Sequence, residues 1–285
     1  MIHSPREGEL LGLSSRGFYR CRYYEWGDAA NPRVVICVHG LTRNGRDFDD
    51  LARALAPQRR VLCLDMPGRG KSDWLSDAAD YRPEVYLSLL TALIARSGVT
   101  EVDWVGTSMG AMLGMMLAAQ AHTPLRRLVV NDAGPLLQKE ALARIAGYVG
   151  LDPKFENFAA LERHIREVSA PFGALTDAQW RHLAETTARQ LPDGRYALAY
   201  DPGIGEAFRV AAGQDIELWP LWDAIKAPVL LLRGAESDLL KRETALAMTQ
   251  RGPRAKLVEF SGVGHAPMLL DATQIDPVVD FLLSA

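Results

Sequence analysis

A five-residue segment, Gly106-Thr107-Ser108-Met109-Gly110, constrains the fold of this 285-residue chain more than any other feature. Residues 101–105, which precede it, include Val and Trp and are typical of a short buried strand. Residues 111–121, which follow it, are largely apolar and contain no β-branched side chain, so they predict a buried helix. A strand that turns directly into a helix strains the residue at the apex, Ser108. We therefore expect this serine to project from the end of a sheet, between two glycines packed too closely to carry a Cβ.

The segment also matches G-x-S-x-G, a pattern in which the central serine acts as a nucleophile. The helix that follows presents free N–H groups and partial positive charge at its N-terminus, which suit a developing oxyanion. The alternative is a glycine-rich helix entry whose serine is merely exposed. The predicted strand before Ser108 and the helix after it are the context that the pattern requires, and they favour the catalytic interpretation.

Composition excludes several other functions. The formal net charge of −3 offers no basic field for nucleic acid and no polybasic membrane anchor. The N-terminus has no apolar core typical of a signal peptide, and no apolar run approaches the ~18 residues of a membrane span. The three cysteines lack the paired spacing of a zinc site. We expect a cytoplasmic protein with a small-molecule substrate and neither metal nor cofactor; the pattern leaves the oligomeric state open.

Apolar strand patterns alternate with helix patterns along most of the chain, which predicts an α/β fold with a mostly parallel sheet. The predicted parallel strands are residues 33–38, 60–64, 101–105, 125–130, 227–232 and 255–260. The predicted helices between and after them are residues 47–56, 83–96, 111–121, 242–250 and 275–283. Residues 17–26 alternate aromatic with charged side chains and predict an antiparallel strand at the sheet edge.

The segment from residue 135 to residue 221 breaks this alternation. It has helical periodicity, many aromatic side chains and no convincing buried strand. We expect an all-helical cap at residues 135–221, placed over the active end of a core domain made of residues 1–134 and 222–285.

A serine hydroxyl needs a base to become a nucleophile, and the base needs an acid to orient it. The sequence offers Ser108, Asp238 and His265 in that order, each just after a predicted parallel strand. Asp132 is a competing acid because it follows the strand after Ser108, and Glu236 is a weaker one. A capping role in its loop is the structural alternative for Asp132.

At these residues the chain resembles the α/β-hydrolase superfamily, from the turn at His39 and Gly40 to the loop at Gly264 and His265. Residues 65–72 resemble its D-x-P-G-x-G-x-S segment, which we interpret as structural. The resemblance implies an eight-stranded, mostly parallel sheet flanked by helices, with an inserted helical cap. It also implies an oxyanion hole formed by the backbone N–H groups of Leu41 and Met109, beside which His39 would orient the turn.

The expected chemistry is acyl transfer with an acyl-enzyme on Ser108, and a carboxylic ester is the first substrate class. A C–C bond hydrolase acting on a dienoic keto-acid is the second, because the superfamily performs both reactions with Ser, His and Asp. An arginine aimed at the nucleophile would favour this second reaction. Arg43 and Asn44 are candidates to bind a substrate carboxylate or carbonyl, unless they face solvent. A ligand-binding receptor without turnover is the alternative from another class.

Overall fold

The structure is a computed structural model that describes residues 4–211 and 213–284. Its strands, in chain order, are β1 (Arg6–Ser14), β2 (Gly17–Trp26), β3 (Val34–Val38), β4 (Arg60–Leu64), β5 (Val102–Thr107), β6 (Leu125–Asn131), β7 (Leu136–Leu137), β8 (Ala188–Gln190), β9 (Tyr196–Leu198), β10 (Ile216–Glu217), β11 (Val229–Gly234) and β12 (Lys256–Phe260). Its α-helices are α1 (Asp49–Leu55), α2 (Pro83–Ser97), α3 (Met109–Ala118), α4 (Lys139–Ala146), α5 (Phe158–Val168), α6 (Asp177–Thr187), α7 (Gly203–Ala211), α8 (Trp219–Ala224), α9 (Arg242–Gln250) and α10 (Ala272–Leu283).

Eight strands form one sheet in the order β1-β2-β4-β3-β5-β6-β11-β12. β1 and β2 pair antiparallel with each other, and β2 pairs antiparallel with β4; the remaining pairs are parallel. The central strand β3 is buried along its whole length because apolar side chains cover both faces of the sheet. The predicted α/β architecture is confirmed.

The strand at the antiparallel edge is β1, and the prediction that β2 forms this edge is wrong. Tyrosines of β2 cover the two glycines of β1. A Cβ on Gly8 would lie 2.1 Å from the ring of Tyr23, and one on Gly12 would lie 2.3 Å from the ring of Tyr19. Tyrosine rings of β2 thus occupy the space beside these two glycines, and the glycines weaken the strand pattern of β1.

The segment between β6 and β11, residues 135–221, is called the insert below. Its helices α4 to α8 confirm the predicted helical periodicity, but the expectation of an all-helical segment is wrong. Two short antiparallel pairs occur in it, β7 with β10 and β8 with β9. Strands of two or three residues are too short to produce a period-2 pattern that the sequence would reveal.

The length and hydropathy of the helices decide whether any of them could cross a membrane. The longest helix of the described part of the chain is α2, with 15 residues. No helix in this part is both long and apolar enough to cross a bilayer. The three cysteines lie buried in β2, β3 and β4.

Candidate active site

Ser108 lies at the turn between β5 and α3, with φ of 52° and ψ of −112°. A Cβ on Gly106 would lie 2.2 Å from the Gly110 carbonyl oxygen, and a Cβ on Gly110 would lie 1.9 Å from the Val38 carbonyl oxygen. Both contacts are with backbone, which has no room to move away. The predicted packing of the two glycines is confirmed, and its consequence is a serine held at the carboxyl edge of the sheet in a conformation that few L-residues adopt.

Ser108 and His265 meet at this edge although 157 residues separate them in the chain. The Ser108 Oγ lies 2.9 Å from His265 Nε2, within hydrogen-bond distance. The other ring nitrogen, His265 Nδ1, lies 2.6 Å from Asp132 Oδ2. A proton on Nδ1 donated to this carboxylate leaves Nε2 free to accept the serine proton, which is the tautomer that a general base requires.

Asp132 follows β6 directly, and its side chain is completely buried. Its Oδ1 accepts the backbone N–H of Gly234 at 3.0 Å, and its Oδ2 accepts the Ser237 hydroxyl at 2.6 Å. With His265, these donors supply three hydrogen bonds to one carboxylate, which offset the cost of burying its charge. Ser237 was not indicated by any motif; its only sequence signal is its position in the loop after β11.

The prediction that Asp238 orients His265 is wrong. The Asp238 carboxylate is half exposed and lies 2.7 Å from Arg144 Nε, on helix α4 of the insert. Glu236, the weaker candidate, accepts the backbone N–H of Gly262 instead. The physical reason lies in the loop after β11. Its inward position is occupied by Ser237, which contacts Asp132, so the following residue points away from the imidazole.

The backbone amides of Leu41 and Met109 border the same space. Both residues line the cavity that contains Ser108 and His265. Within residues 4–211 and 213–284, neither amide N–H donates a hydrogen bond to a protein acceptor. Met109 is the first residue of α3, where an N–H group has no partner inside the helix.

His39 supports the turn that carries Leu41. Its Nδ1 lies 2.7 Å from the Gly40 carbonyl oxygen, and its Nε2 accepts the Met66 backbone N–H at 3.0 Å. Complete burial, assisted by the charge of Arg69, lowers the pKa of His39 to about 3. The ring is therefore neutral, and its contacts are those of a residue that fixes the turn.

Arg43 and Asn44, the residues predicted to meet a substrate or solvent, instead join the turn to the insert. Arg43 lines the cavity, but its guanidinium is held by Asp47 at 2.6 Å and by the Thr187 hydroxyl at 2.9 Å. Asn44 is buried, and its side-chain amide donates to the Thr186 carbonyl oxygen at 3.0 Å. The alternative of facing solvent does not hold for either side chain.

The cavity above Ser108 has a volume of about 1590 Å³. It lies between the carboxyl edge of the sheet and the insert, and most of its wall is aliphatic, aromatic or methionine side chains. Those that bear on substrate size include Met112, Met116, Leu142, Ile145, Phe172 and Ile204. Typical small-molecule sites measure ~300–1,000 Å³, so this cavity is large enough for an extended, mainly apolar molecule.

A serine, a carboxylate and a histidine in this chain order, on loops at the carboxyl edge of such a sheet, define a class of protein. The chain belongs to the α/β hydrolase family, since the family model described as alpha/beta hydrolase fold matches residues 33–272. It is a hydrolase.

Two relatives and one solved structure are similar to this chain over most of its length. The chain is 45% identical to a 3-hydroxybutyrate-oligomer hydrolase of Cupriavidus necator, with 100% of both chains covered. It is 28% identical to an esterase of Mycobacterium tuberculosis, over 83% of this chain and 78% of the relative. Among solved structures, an α/β hydrolase from Novosphingobium aromaticivorans is 38% identical, with a TM-score of 0.86 and 98% of both chains covered.

Proposed function

We propose that this protein hydrolyses carboxylic esters by means of Ser108, His265 and Asp132, and that short oligomers of 3-hydroxybutyrate are its substrate class. The observation that carries the proposal is the continuous chain of contacts from Ser108 Oγ to His265 (2.9 Å) and on to Asp132 (2.6 Å). The full-length similarity to a 3-hydroxybutyrate-oligomer hydrolase supports the choice of substrate.

Acylation follows from this geometry. His265 Nε2 takes the proton of the Ser108 hydroxyl as Oγ attacks the ester carbonyl carbon, and Asp132 stabilises the imidazolium that forms. The carbonyl oxygen becomes an oxyanion, which the N–H groups of Leu41 and Met109 bind. His265 then gives its proton to the leaving alkoxide, so the alcohol departs and the acyl group remains on Ser108.

Deacylation repeats these steps with water as the nucleophile. His265 accepts a proton from the water as its oxygen attacks the acyl carbon, and the same two amides bind the second oxyanion. Collapse of this intermediate breaks the bond to Ser108 Oγ, which recovers its proton from His265. The products are a carboxylic acid and an alcohol, and for an oligomer of a hydroxy acid both are shorter hydroxy acids.

The shape and chemistry of the cavity suit such an oligomer. Each repeat presents one methyl group and one ester carbonyl, and the only charge is the carboxylate at one end of the oligomer, so several repeats fit an apolar wall. A volume of about 1590 Å³ favours oligomers over a single hydroxy acid ester, which would leave much of the wall in water.

We further propose that residues 135–221 form a cap over a core domain of residues 1–134 and 222–285. Insert side chains such as Leu142, Ile145 and Phe172 contribute to the cavity wall. The insert also contributes Leu161 and Leu183 to an apolar cluster, which Met268 and Leu270 of the core domain complete. Substrate specificity on this interpretation depends mainly on the cap.

Charge in the cavity wall favours an ester over the dienoic keto-acid of a C–C bond hydrolase. The second reaction would be favoured by an arginine aimed at the nucleophile. Of the three arginines in the cavity wall, Arg43 is held by Asp47 at 2.6 Å, Arg144 of the insert lies 2.7 Å from Asp238, and Arg82 lies 3.9 Å from Asp80. These pairings leave little positive charge to attract a carboxylate to Ser108.

The proposal is tested by labelling the protein with a fluorophosphonate and mapping the modified peptide, with Ser108→Ala as the control. The 3-hydroxybutyrate dimer, trimer and tetramer are then compared with methyl 3-hydroxybutyrate and with a dienoic keto-acid. We expect labelling confined to Ser108, and kcat/KM for the trimer about tenfold above that for the methyl ester, since added apolar contacts contribute binding energy.

Three outcomes would contradict the proposal. Cleavage of the keto-acid in preference to every ester would assign the C–C bond reaction. Cleavage of simple esters without any preference for oligomers would remove the substrate class. An unlabelled, folded protein that binds the trimer without cleaving it would assign the receptor.

A further inference from the structure

Arg69 is a completely buried cation in the loop after β4. It belongs to the D-x-P-G-x-G-x-S segment, which the proposed reaction does not use. Within the described ranges 4–211 and 213–284, no carboxylate forms an ion pair with its guanidinium. A buried charge without an opposite charge costs several kcal/mol, so its retention needs compensation from neutral groups or a function for the charge.

The guanidinium is bonded to the two residues of the proposed oxyanion hole. Its Nε donates to the Leu41 carbonyl oxygen at 2.8 Å, and its Nη2 lies 3.7 Å from Met109 Sδ. On the other side, Nη1 donates to the Pro67 carbonyl oxygen at 2.7 Å and to the Tyr86 hydroxyl at 2.8 Å. All four partners are neutral, so they orient the guanidinium without cancelling its charge.

Arg69 is not part of the cavity wall, so it cannot touch a substrate. Its charge nevertheless lies directly behind the Leu41 turn and the start of α3. In a water-poor environment of this kind, a fixed positive charge acts on a nearby oxyanion far more strongly than it would in water. The neutral ester of the ground state gains much less from it, and this difference is what accelerates a reaction.

We propose that Arg69 is a positioning residue of the oxyanion hole, which holds the Leu41 turn against α3 and adds an uncancelled positive charge behind the two amides. This inference rests on the proposed function, because it needs an oxyanion at this site. It gives the central arginine of residues 65–72 a role in catalysis beyond the structural one that the sequence indicates.

The test compares Arg69→Gln, which removes the charge, with Arg69→Lys, which keeps it. Arg59→Gln is the matched control, because Arg59 is also buried and its Nη2 donates to the Leu282 carbonyl oxygen at 2.6 Å. Two inhibitors are measured on each variant. A trifluoromethyl ketone bearing the acyl chain forms a tetrahedral oxyanion with Ser108, whereas the corresponding methyl ketone reports ground-state binding.

We expect Arg69→Gln to lower kcat about tenfold or more with KM within about twofold, and to weaken the trifluoromethyl ketone by a similar factor. Binding of the methyl ketone should stay within about twofold. Arg69→Lys should recover most of the loss, and Arg59→Gln should change thermal stability without this selective effect. If Arg69→Gln does not fold, Arg69→Lys alone decides, with kcat expected within about fivefold of wild type.

Equal weakening of both ketones, no weakening of either, or a lysine variant as poor as the glutamine variant would overturn the inference. Failure of the proposed function is a separate result. In that case the wild-type protein itself would neither cleave esters nor bind the trifluoromethyl ketone more tightly than the methyl ketone.

Discussion

The Ser237 hydroxyl donates a 2.6 Å hydrogen bond to Asp132 Oδ2, the oxygen that also contacts His265 Nδ1. Ser237 itself accepts the backbone N–H of Leu240 at 3.2 Å, so the hydroxyl has a defined orientation. The loop after β11 thus places no carboxylate against His265, but its Ser237 binds the carboxylate that follows β6 and contacts this histidine.

Ser237→Ala should lower kcat about tenfold with little change in KM, because loss of a hydrogen bond to a charged group costs roughly 1.5–3 kcal/mol. The measurement is a double-mutant cycle with Asp132→Asn. If Ser237 acts through Asp132, its removal has almost no further effect in the Asp132→Asn background. An equal loss in both backgrounds would show that the serine only stabilises its loop, and Ser261→Ala, at an exposed serine, is the matched control.

Asp132→Asn should lower kcat by ~10⁴, the scale of the effect when the acid of such a triad is made neutral. Asp238→Asn should change kcat by less than about threefold, since its carboxylate contacts Arg144 and not the imidazole. Steady-state kinetics on one ester substrate, with circular dichroism to verify folding, compares the two. A larger loss for Asp238→Asn would refute the assignment of the acid.

Gly110→Ala should prevent correct folding or destabilise the protein by more than about 3 kcal/mol, because the new Cβ would lie 1.9 Å from the Val38 carbonyl oxygen. Gly147→Ala is the control, since Gly147 has φ of −69° and ψ of −22° and its added Cβ would lie 3.2 Å from the Arg144 carbonyl oxygen, a far looser contact than at Gly110. Thermal unfolding measures both. Similar melting temperatures for the two variants would contradict the close packing of β5, α3 and β3.

His39 should make the protein less stable in acid. Its pKa is about 3 in the folded protein, against an ordinary value of 6.5, so the unfolded chain binds more protons between these values. Its contribution is fully present above pH 6.5 and is lost as the pH falls, by about 3 kcal/mol between pH 7 and pH 4. Denaturant unfolding across this range measures it.

Comparison with the variant His39→Gln isolates the part of this pH dependence of stability that is due to His39. Burial raises the pKa of Asp65 to about 6, which makes stability fall as the pH rises through the same range. This opposite contribution is present in both proteins and cancels in their difference. The difference should therefore diminish toward low pH, whereas His122→Gln, at an exposed histidine, should keep the wild-type slope. Parallel curves for wild type and His39→Gln would mean that folding does not lower the pKa of His39, which would contradict the prediction.

The sequence predicts seven of the eight strands of the sheet, the helices that cover it and the turns that carry Ser108 and His265, because these depend on local patterns, but it does not predict β1. It could not decide between Asp132 and Asp238, since both follow neighbouring parallel strands, β6 and β11. The choice depends on backbone conformation within each loop. Asp132 has a φ of 54°, an uncommon value that no residue pattern indicates.

Contacts between residues far apart in the chain could not be predicted from the sequence either. The partners of Arg43 and Asn44 are Thr187 and Thr186, which lie 144 and 142 residues further along the chain. Polar residues just beyond the expected oxyanion turn at Leu41 favour a substrate contact when only the sequence is considered. In the structure, both side chains instead form hydrogen bonds that join the Leu41 turn to the insert.

That junction has a consequence for altering the substrate range of this protein. Replacing the insert with that of a relative is an obvious engineering route, because the graft would carry most of a new cavity wall. The hydrogen bonds from Arg43 and Asn44 end on Thr187 and Thr186, at the end of α6. A chimera that lacks the hydroxyl at position 187, or in which the backbone carbonyl group at position 186 is displaced, would loosen the turn bearing Leu41, and with it an amide of the proposed oxyanion hole. Successful grafts will therefore keep the end of α6 native and vary the insert elsewhere.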